Sequence, residues 1–359
     1  VMEVFYRPEL GGIIVENVLA SGELSDSFEG RQVTPGHAIE AMWFIMDLGK
    51  RLNRPELIEK AKDITLTMAE YGWDKEYGGI VYFMDRDKCP PQQLEWDQKL
   101  WWVHIETLIS MLKGYQLTGD KNCLEWFERV HDYTWSHFKD TEYPEWFGYL
   151  NRRGEVFDTD KFVWLQGREV WLFSMLYNKV EKQKEWLDCA VQGGEFLKKH
   201  GHDGNYNWYF SLDRTGRPLV EPYNIFSYTF AVMAFGQLSL ATGNQEYADI
   251  AMKTFDIVLS KTNNPKGKWN KLYPGTRDLK NFALPMILCN LAMEIEHLLD
   301  KGCLEKTMEV CIHEVMEVFY RPELGGIIVE NVLANGELSD SFEAVSYTHL
   351  RAHETSAHL

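Results

Sequence analysis

Two kinds of apolar stretch alternate along this chain. In the first kind, apolar and aromatic side chains occupy nearly every side of a 3.6-residue period. In the second, charged residues return every three or four positions and leave a single apolar face. The first kind comprises VTPGHAIEAMWFIMDLG (33–49), LEWDQKLWWVHIETLISMLKGY (94–115), DKFVWLQGREVWLFSMLYN (160–178), YNIFSYTFAVMAFGQLSLATG (223–243) and KNFALPMILCNLAMEIEHLL (280–299). Each has a Pro-, Gly- or Asp-rich lead-in and is followed by a member of the second kind: RPELIEKAKDITLTMAEYG, CLEWFERVHDYTWSHF, WLDCAVQGGEFLKKHG, NQEYADIAMKTFDIVLSK and CLEKTMEVCIHEVMEVFY. The starts recur roughly every 60 residues, as stacked helix pairs do. Helices apolar on most sides belong inside and those with one charged face outside, so the pattern predicts an all-α barrel of helical hairpins with five pairs. Short ribbons rich in turn residues, GGIVYFMDRD, EWFGYLNRRGE and NWYFSLDRTGRP, are expected to join the pairs at one end. The funnel mouth of such a barrel is the natural place for a substrate.

A second repeat is literal. Residues 1–29, VMEVFYRPELGGIIVENVLASGELSDSFE, recur as 315–343 with one change, Ser21 to Asn335. Both copies carry the same apolar face and would compete for one docking position, so only one is expected to dock. A closed circle opened at an arbitrary point and read past its own start accounts for the repeat. The expected organisation is one barrel domain over 1–343. The last sixteen residues, AVSYTHLRAHETSAHL (344–359), share nothing with the rest, look foreign and receive no function.

Composition narrows the function classes. The net charge is −17, with 54 acidic against 37 basic residues and no basic cluster, which argues against nucleic acid as a partner. No apolar run approaches a membrane span, and the opening VMEVFYRPELGG is not a charged-then-apolar leader. The six cysteines lie far apart without a CxxC and read as reduced thiols, so the expected location is the cytosol. Thirteen Trp, 17 Tyr and 19 Phe are enough both to fill a large core and to stack on sugar faces in a cleft. No metal-ligand spacing such as HExxH appears, and GYQLTGDK (114–121) lacks the Gly-Lys of a phosphate loop.

Candidate chemistry clusters near the starts of the apolar helices. His37 and Glu40 are three apart and share a face, either as a solvated first turn or as a proton-moving pair with Glu40 orienting the histidine. Glu106 shares a face with Trp102 and Lys99, so it is either a site carboxylate or half of a buried salt bridge with Lys99. Arg168 has Trp164 four residues before it and Trp171 three after. A cation flanked by indoles can hold an oxyanion while the rings stack on sugar, and the plain alternative is a pair with Glu169 or a neighbouring acid. His104 points away from Glu106, toward Leu100 and Leu108. It is either a structural histidine or a further substrate contact.

Four strings, KFVWLQGREVW (161–171), TPGHAIEAMWF (34–44), QLEWDQKLWWVHIE (93–106) and EWFGYLNRRGEV (145–156), together resemble the N-acylglucosamine 2-epimerase family, also known as the renin-binding protein family. The resemblance extends over nearly all of residues 1–343. It implies an (α/α)6-type barrel and a sugar 2-epimerase that interconverts N-acyl-D-glucosamine and N-acyl-D-mannosamine. No redox cofactor or metal is implied, ATP is implied only as an effector, and the assembly implied is a homodimer. Cellobiose 2-epimerases and mannose isomerases share the barrel and are the enzymatic alternatives, and a non-catalytic binding protein is another. Within the resemblance His37 is the acid–base histidine, and Arg168 and Glu106 are site residues. Epimerisation at C2 of an opened sugar needs acid–base groups on both faces of the carbon and a donor for the enediolate oxygen. The family's second histidine stands in a string resembling CFHxPR, and no histidine here has proline two positions on.

The order of the pieces also departs from the family, where 158–343 would be followed by 30–157. The chain thus resembles a circular permutant, spliced within EWFGYLNRRGEVFDTDKFVW. The last inner and first outer helix of a six-pair barrel would be missing, together with the second histidine, and activity is expected to be impaired.

Overall fold

All ten predicted helices form, and the ribbons between them pair. The computed structural model describes residues 4–19, 21–143, 146–222, 224–265, 267–269, 273, 279–324 and 326–338. Contacts divide the chain into two compact units, one of residues 1–141 and 146–159, the other of 142–145 and 160–359. The division at Thr159/Asp160 falls beside the splice read from the sequence.

The first unit holds a short helical turn, α1 (Phe28–Arg31), and two hairpins, α2 (Pro35–Arg51) with α3 (Pro55–Gly72) and α4 (Trp101–Thr118) with α5 (Lys121–His137). Pro35 and Pro55 open their helices at the position where a missing N–H costs nothing. Gly119, at φ 75°, ends α4, and the Asp120 carboxylate caps α5 by accepting from the Asn122 N–H. α2 packs on both α3 and α4. The amphipathic α5 buries only Cys123, Val130, Tyr133 and Thr134, as an outer helix should.

The second unit holds three hairpins: α6 (Val163–Met175) with α7 (Lys184–His200), α8 (Phe226–Thr242) with α9 (Gln245–Lys261), and α10 (Ala283–Glu294) with α11 (Lys301–His313). α8 is buried continuously from Ser227 to Ser239, in keeping with a sequence apolar on all sides. Gly167 lets α6 approach α8 closely, since a Cβ there would stand 3.1 Å from the Phe230 backbone. α10 is less buried than the other expected inner helices. It buries Pro285, Leu288, Leu291 and Ala292 and leaves Met293 57% exposed. Within its unit it packs chiefly on α11 and α8, and Glu294 at its end accepts from the Trp171 indole of α6.

A short strand leads into four of the five inner helices. Gln32–Val33, before α2, pairs with Met84–Asp85, and Lys99–Leu100, before α4, pairs with Tyr149–Leu150. Lys161–Phe162, before α6, pairs with Ser211–Leu212, and Leu279–Asn281, before α10, pairs with Asn331–Leu333. Within each unit, the ribbons therefore meet the N-terminal ends of these helices. The 94–115 stretch is helical only from Trp101, because Lys99–Leu100 is drawn into a strand and the LEWDQ residues form turns.

The expectation that only one duplicate docks is overturned. Both copies form the same two-stranded ribbon in the same register, Tyr6–Arg7 with Ile13–Ile14 and Tyr320–Arg321 with Ile327–Ile328. Identical sequences share only one buried residue, Val15 and its equivalent Val329. The first copy, against α3, buries Ile13, Ile14 and Val15, while the second, following α11, buries Phe319, Val329 and Val332. The 344–359 tail lies outside the described residues. Among the described residues no helix is long and apolar enough to cross a membrane.

Candidate functional site

His37 is the third residue of α2 and is only 1% exposed. Its Nδ1 lies 3.0 Å from Glu16 Oε1, and because a carboxylate can only accept, Nδ1 carries the hydrogen. Glu16 comes from the segment after the Tyr6–Ile14 ribbon, whose Glu16 N–H donates to the Gln32 carbonyl at 3.3 Å. The carboxylate on Nδ1 is Glu16, a residue that the sequence did not single out. Glu40 is buried one turn further along α2.

Trp102, second residue of α4, lies beside His37, with ring centroids 5.3 Å apart and tilted by 32°. Tyr82 meets the Trp102 indole edge-on at 6.2 Å. Glu106, one turn into α4, accepts from the Trp43 indole N–H at 2.8 Å. Lys113 Nζ stands over the other side of this network, 4.6 Å from the Trp43 ring centroid. Two groups of contacts form in the first unit: Glu16, His37, Trp102 and Tyr82 in one, and Trp43, Glu106 and Lys113 in the other. The salt-bridge alternative for Glu106 fails, because Lys99 is fully buried against Asp74 at 3.2 Å and donates to the Arg152 carbonyl. Burial lowers the Lys99 pKa, and Asp74 opposes that shift.

His104 does not belong to this group. Its Nδ1 donates to the Leu100 carbonyl at 2.7 Å and its Nε2 accepts from the Ile80 N–H at 3.0 Å. With both nitrogens taken by backbone, the ring has none to offer a sugar, which corrects its place among the substrate contacts. Burial pushes its pKa down to about 3, so it stays neutral.

Arg168, Trp164 and Trp171 belong to the second unit. Arg168 and Trp164 are buried on the first two turns of α6, and Trp164 packs 6.0 Å from Phe230. The Trp171 indole N–H donates to Glu294 Oε2 at 3.0 Å, and Gln237 Nε2 donates to the same oxygen at 2.9 Å. Asn178 Nδ2 in turn donates to Gln237 Oε1 at 3.2 Å. The polar edge of Trp171 is therefore bound up in a network joining α6, α8 and α10.

Glu16, Trp43, Gln237 and Glu294 were missed by sequence reasoning. Their contacts cross between elements, where no periodicity marks them, and the only hint for Glu16 is its place in the duplicated segment. The remaining described histidines lie in or just beyond other helices, among them His137 at the end of α5, stacked on Tyr133 with ring centroids 4.1 Å apart. His131 stacks on Trp135 at 4.7 Å in α5, His200 and His202 close α7, and His297 meets Ser239 at 3.3 Å beyond α10. His313 ends α11, and His349, His353 and His358 lie outside the described residues. Among the described residues no three His, Cys, Asp or Glu side chains are grouped to hold a metal ion.

Comparison with known proteins gives two kinds of likeness. The sequence model of the family N-acylglucosamine 2-epimerase (GlcNAc 2-epimerase) matches residues 11–160 and 147–348, two stretches that share 147–160. The N-acylglucosamine 2-epimerase of Rattus norvegicus is 44% identical over 147 residues, covering 41% of this chain and 35% of its own length. The matched part is thus about a third of that relative. A crystal structure of D-mannose isomerase superposes with a TM-score of 0.76 at 11% identity, covering 96% of this chain and 90% of its own. The cellobiose 2-epimerase of Bacillus thermoamylovorans B4167 gives a TM-score of 0.68 at 13% identity, covering 85% and 81%. At such identities the structural likeness speaks for fold alone, and the fold is all-α, of the α/α-barrel type.

Proposed function

Since the chain belongs to the N-acylglucosamine 2-epimerase family, we propose that it acts on C2 of an N-acylated hexosamine, interconverting N-acyl-D-glucosamine and N-acyl-D-mannosamine. The observation that carries this reading is the buried His37–Glu16 pair beside Trp102. With Nδ1–H committed to a carboxylate, Nε2 is the nitrogen that accepts a proton, the arrangement of a general base. The reaction needs the opened sugar, in which the C2 proton is acidified by the adjacent aldehyde. His37 takes that proton, leaving an enediolate whose oxygen needs a donor. Arg168 is proposed for that role on its residue type and its place in the family motif. The indole of Trp102 offers an apolar face for the sugar ring, and Glu106, tied to Trp43, is proposed as a substrate-contacting carboxylate.

Inversion needs a second group to return a proton on the opposite face, and no HxP histidine exists in this sequence. General acid–base catalysis is worth roughly 10²–10⁴-fold per group, so epimerisation is proposed to be slowed by about that factor. One-faced exchange of the C2 proton survives. Purified protein incubated separately with N-acetylglucosamine and N-acetylmannosamine in D₂O, followed by NMR, is expected to incorporate deuterium at C2 faster than it forms the epimer. His37→Ala should abolish the incorporation. Inversion as fast as exchange would disprove the half-site reading, and undiminished exchange in His37→Ala would remove His37 from the chemistry. Formation of a ketose would instead identify an aldose–ketose isomerase, the activity named for the D-mannose isomerase that shares this fold.

A further inference from the structure

We propose that this chain associates head to tail with further copies of itself, the 279–282 segment of one molecule pairing with Asn17-Val18-Leu19 in the first duplicate of the next. The second duplicate shows what this sequence takes as a partner. Within its own unit, Asn331–Leu333 pairs antiparallel with Leu279–Asn281, Val332 lies opposite Lys280, and Asn281 Nδ2 donates to Asn331 Oδ1 at 3.0 Å. Phe282, next along, meets Phe319 with ring centroids 5.7 Å apart, and Phe319 and Val332 are fully buried. In the first duplicate the same three residues, Asn17-Val18-Leu19, pair with no strand among the described residues. The apolar face beside them is correspondingly open. Phe5 and Val18, equivalent to Phe319 and Val332, are only half-buried, and Val4 and Leu19 are 39% and 47% exposed. A strand edge beside such a face is a template for another strand.

The first duplicate is already shaped for that partner. Leu19 N–H donates to the Glu23 carbonyl at 2.9 Å and Gly22 N–H to the Leu19 carbonyl at 2.8 Å. Leu333 and Gly336 repeat both bonds at the same distances, to the Glu337 and Leu333 carbonyls. Arg7 Nη2 donates to the Gly22 carbonyl, as Arg321 Nη2 does to that of Gly336. Because the Leu333 N–H turns to Glu337, strand alternation aims the Val332 N–H and C=O the other way, at Lys280. The same alternation aims those of Val18 away from its own turn. Asn17 Nδ2 serves the Glu29 carbonyl at 3.0 Å, and its Oδ1 is the atom that accepts from Asn281 in the other copy. Pre-organisation of this kind removes most of the ordering cost of a strand contact. The occupant is a second copy of this chain because 279–282 is the segment observed on this sequence. Exchange replaces the internal ladder by one of identical sequence, as in domain swapping. Strand and edge lie in different units, so the contact is heterologous and continues into rings or chains rather than closing as a two-fold dimer.

The test uses the full chain. Size-exclusion chromatography with light scattering is expected to show masses rising in whole-chain steps as concentration increases. Val18→Pro removes the N–H that the incoming strand needs and should weaken association about tenfold, the equivalent of one ladder hydrogen bond. Val332→Pro, the same change in the other copy, loosens the internal ladder and should strengthen association by a similar factor. Misfolding does not imitate this pair of results, because it would raise association in both variants. A benzophenone side chain introduced at Leu19 of unlabelled chain, mixed with excess ¹⁵N-labelled chain, should crosslink on irradiation to the labelled 279–282 segment. A monomer at every concentration, association indifferent to Val18→Pro, or crosslinks confined to the unlabelled chain overturns the proposal.

Discussion

Gly36 lacks a side chain because Trp102 already occupies the space. A Cβ at this position would stand 2.8 Å from the Trp102 ring and 2.9 Å from Val103. The glycine between Pro35 and His37 therefore sets how closely α2 approaches α4, and with it the distance from the imidazole to the indole. Gly36→Ala should force Trp102 or α2 to move, costing about 1–3 kcal/mol by overpacking, read as a lower urea midpoint at unchanged m-value. Unaltered stability together with an unaltered His37 environment would show that the contact is slack. At this scale helical spacing singled out His37, Glu40 and Glu106 as candidates, because residues three or four apart share a face. It did not single out Glu16, which reaches His37 across 21 residues and a ribbon. Nothing in a helical period reports a contact of that kind.

Among the elements, α2, α4 and α6 share one plan, in which a short strand leads in and the candidate side chains stand within the first two turns. Glu40, Glu106 and Arg168 are each the sixth residue of their helix, in α2, α4 and α6 respectively. Helix identity was legible because apolar and amphipathic stretches differ in period. The start of α4 was not, because an apolar pattern cannot distinguish the Lys99–Leu100 strand from the helix that continues it. His104 staples this junction, joining Leu100 to the Ile80 loop, and only its neutral form accepts from the Ile80 N–H. Its folded pKa of about 3 lies below the ordinary 6.5. The unfolded chain therefore binds the extra proton first. The stability due to neutral His104 is complete above pH 6.5 and is lost as pH falls toward 3, by up to roughly 1.4 kcal/mol per pH unit. His104→Gln should lower stability at neutral pH and flatten the acid limb of urea melts over that window. A parallel acid limb in parent and variant would show that other groups govern it.

At the scale of the whole molecule, the order of segments is the outstanding feature. The family match comes in two stretches that share residues 147–160, and the two units divide at Thr159/Asp160. Each duplicate does half of one segment's work. The copy at 315–343 continues α11 and pairs with the strand before α10, while the copy at 1–29 leads into α2 and brings Glu16 to His37. A chain reordered as 158–343 followed by 30–157 would need only one copy, because Glu343 would then run directly into Gly30-Arg31-Gln32. Glu330 would stand as far before His37 in that sequence as Glu16 does here. The reordered chain is expected to fold and to melt at a higher temperature than the present one, since one segment would then make the contacts that two copies divide between them here. Glu330 should take the place of Glu16 beside His37, so Glu330→Ala should deplete the Nδ1–H tautomer of His37 in the reordered chain. A reordered protein that melts lower, or whose His37 is indifferent to Glu330, would show that the present order is the one this sequence is built for.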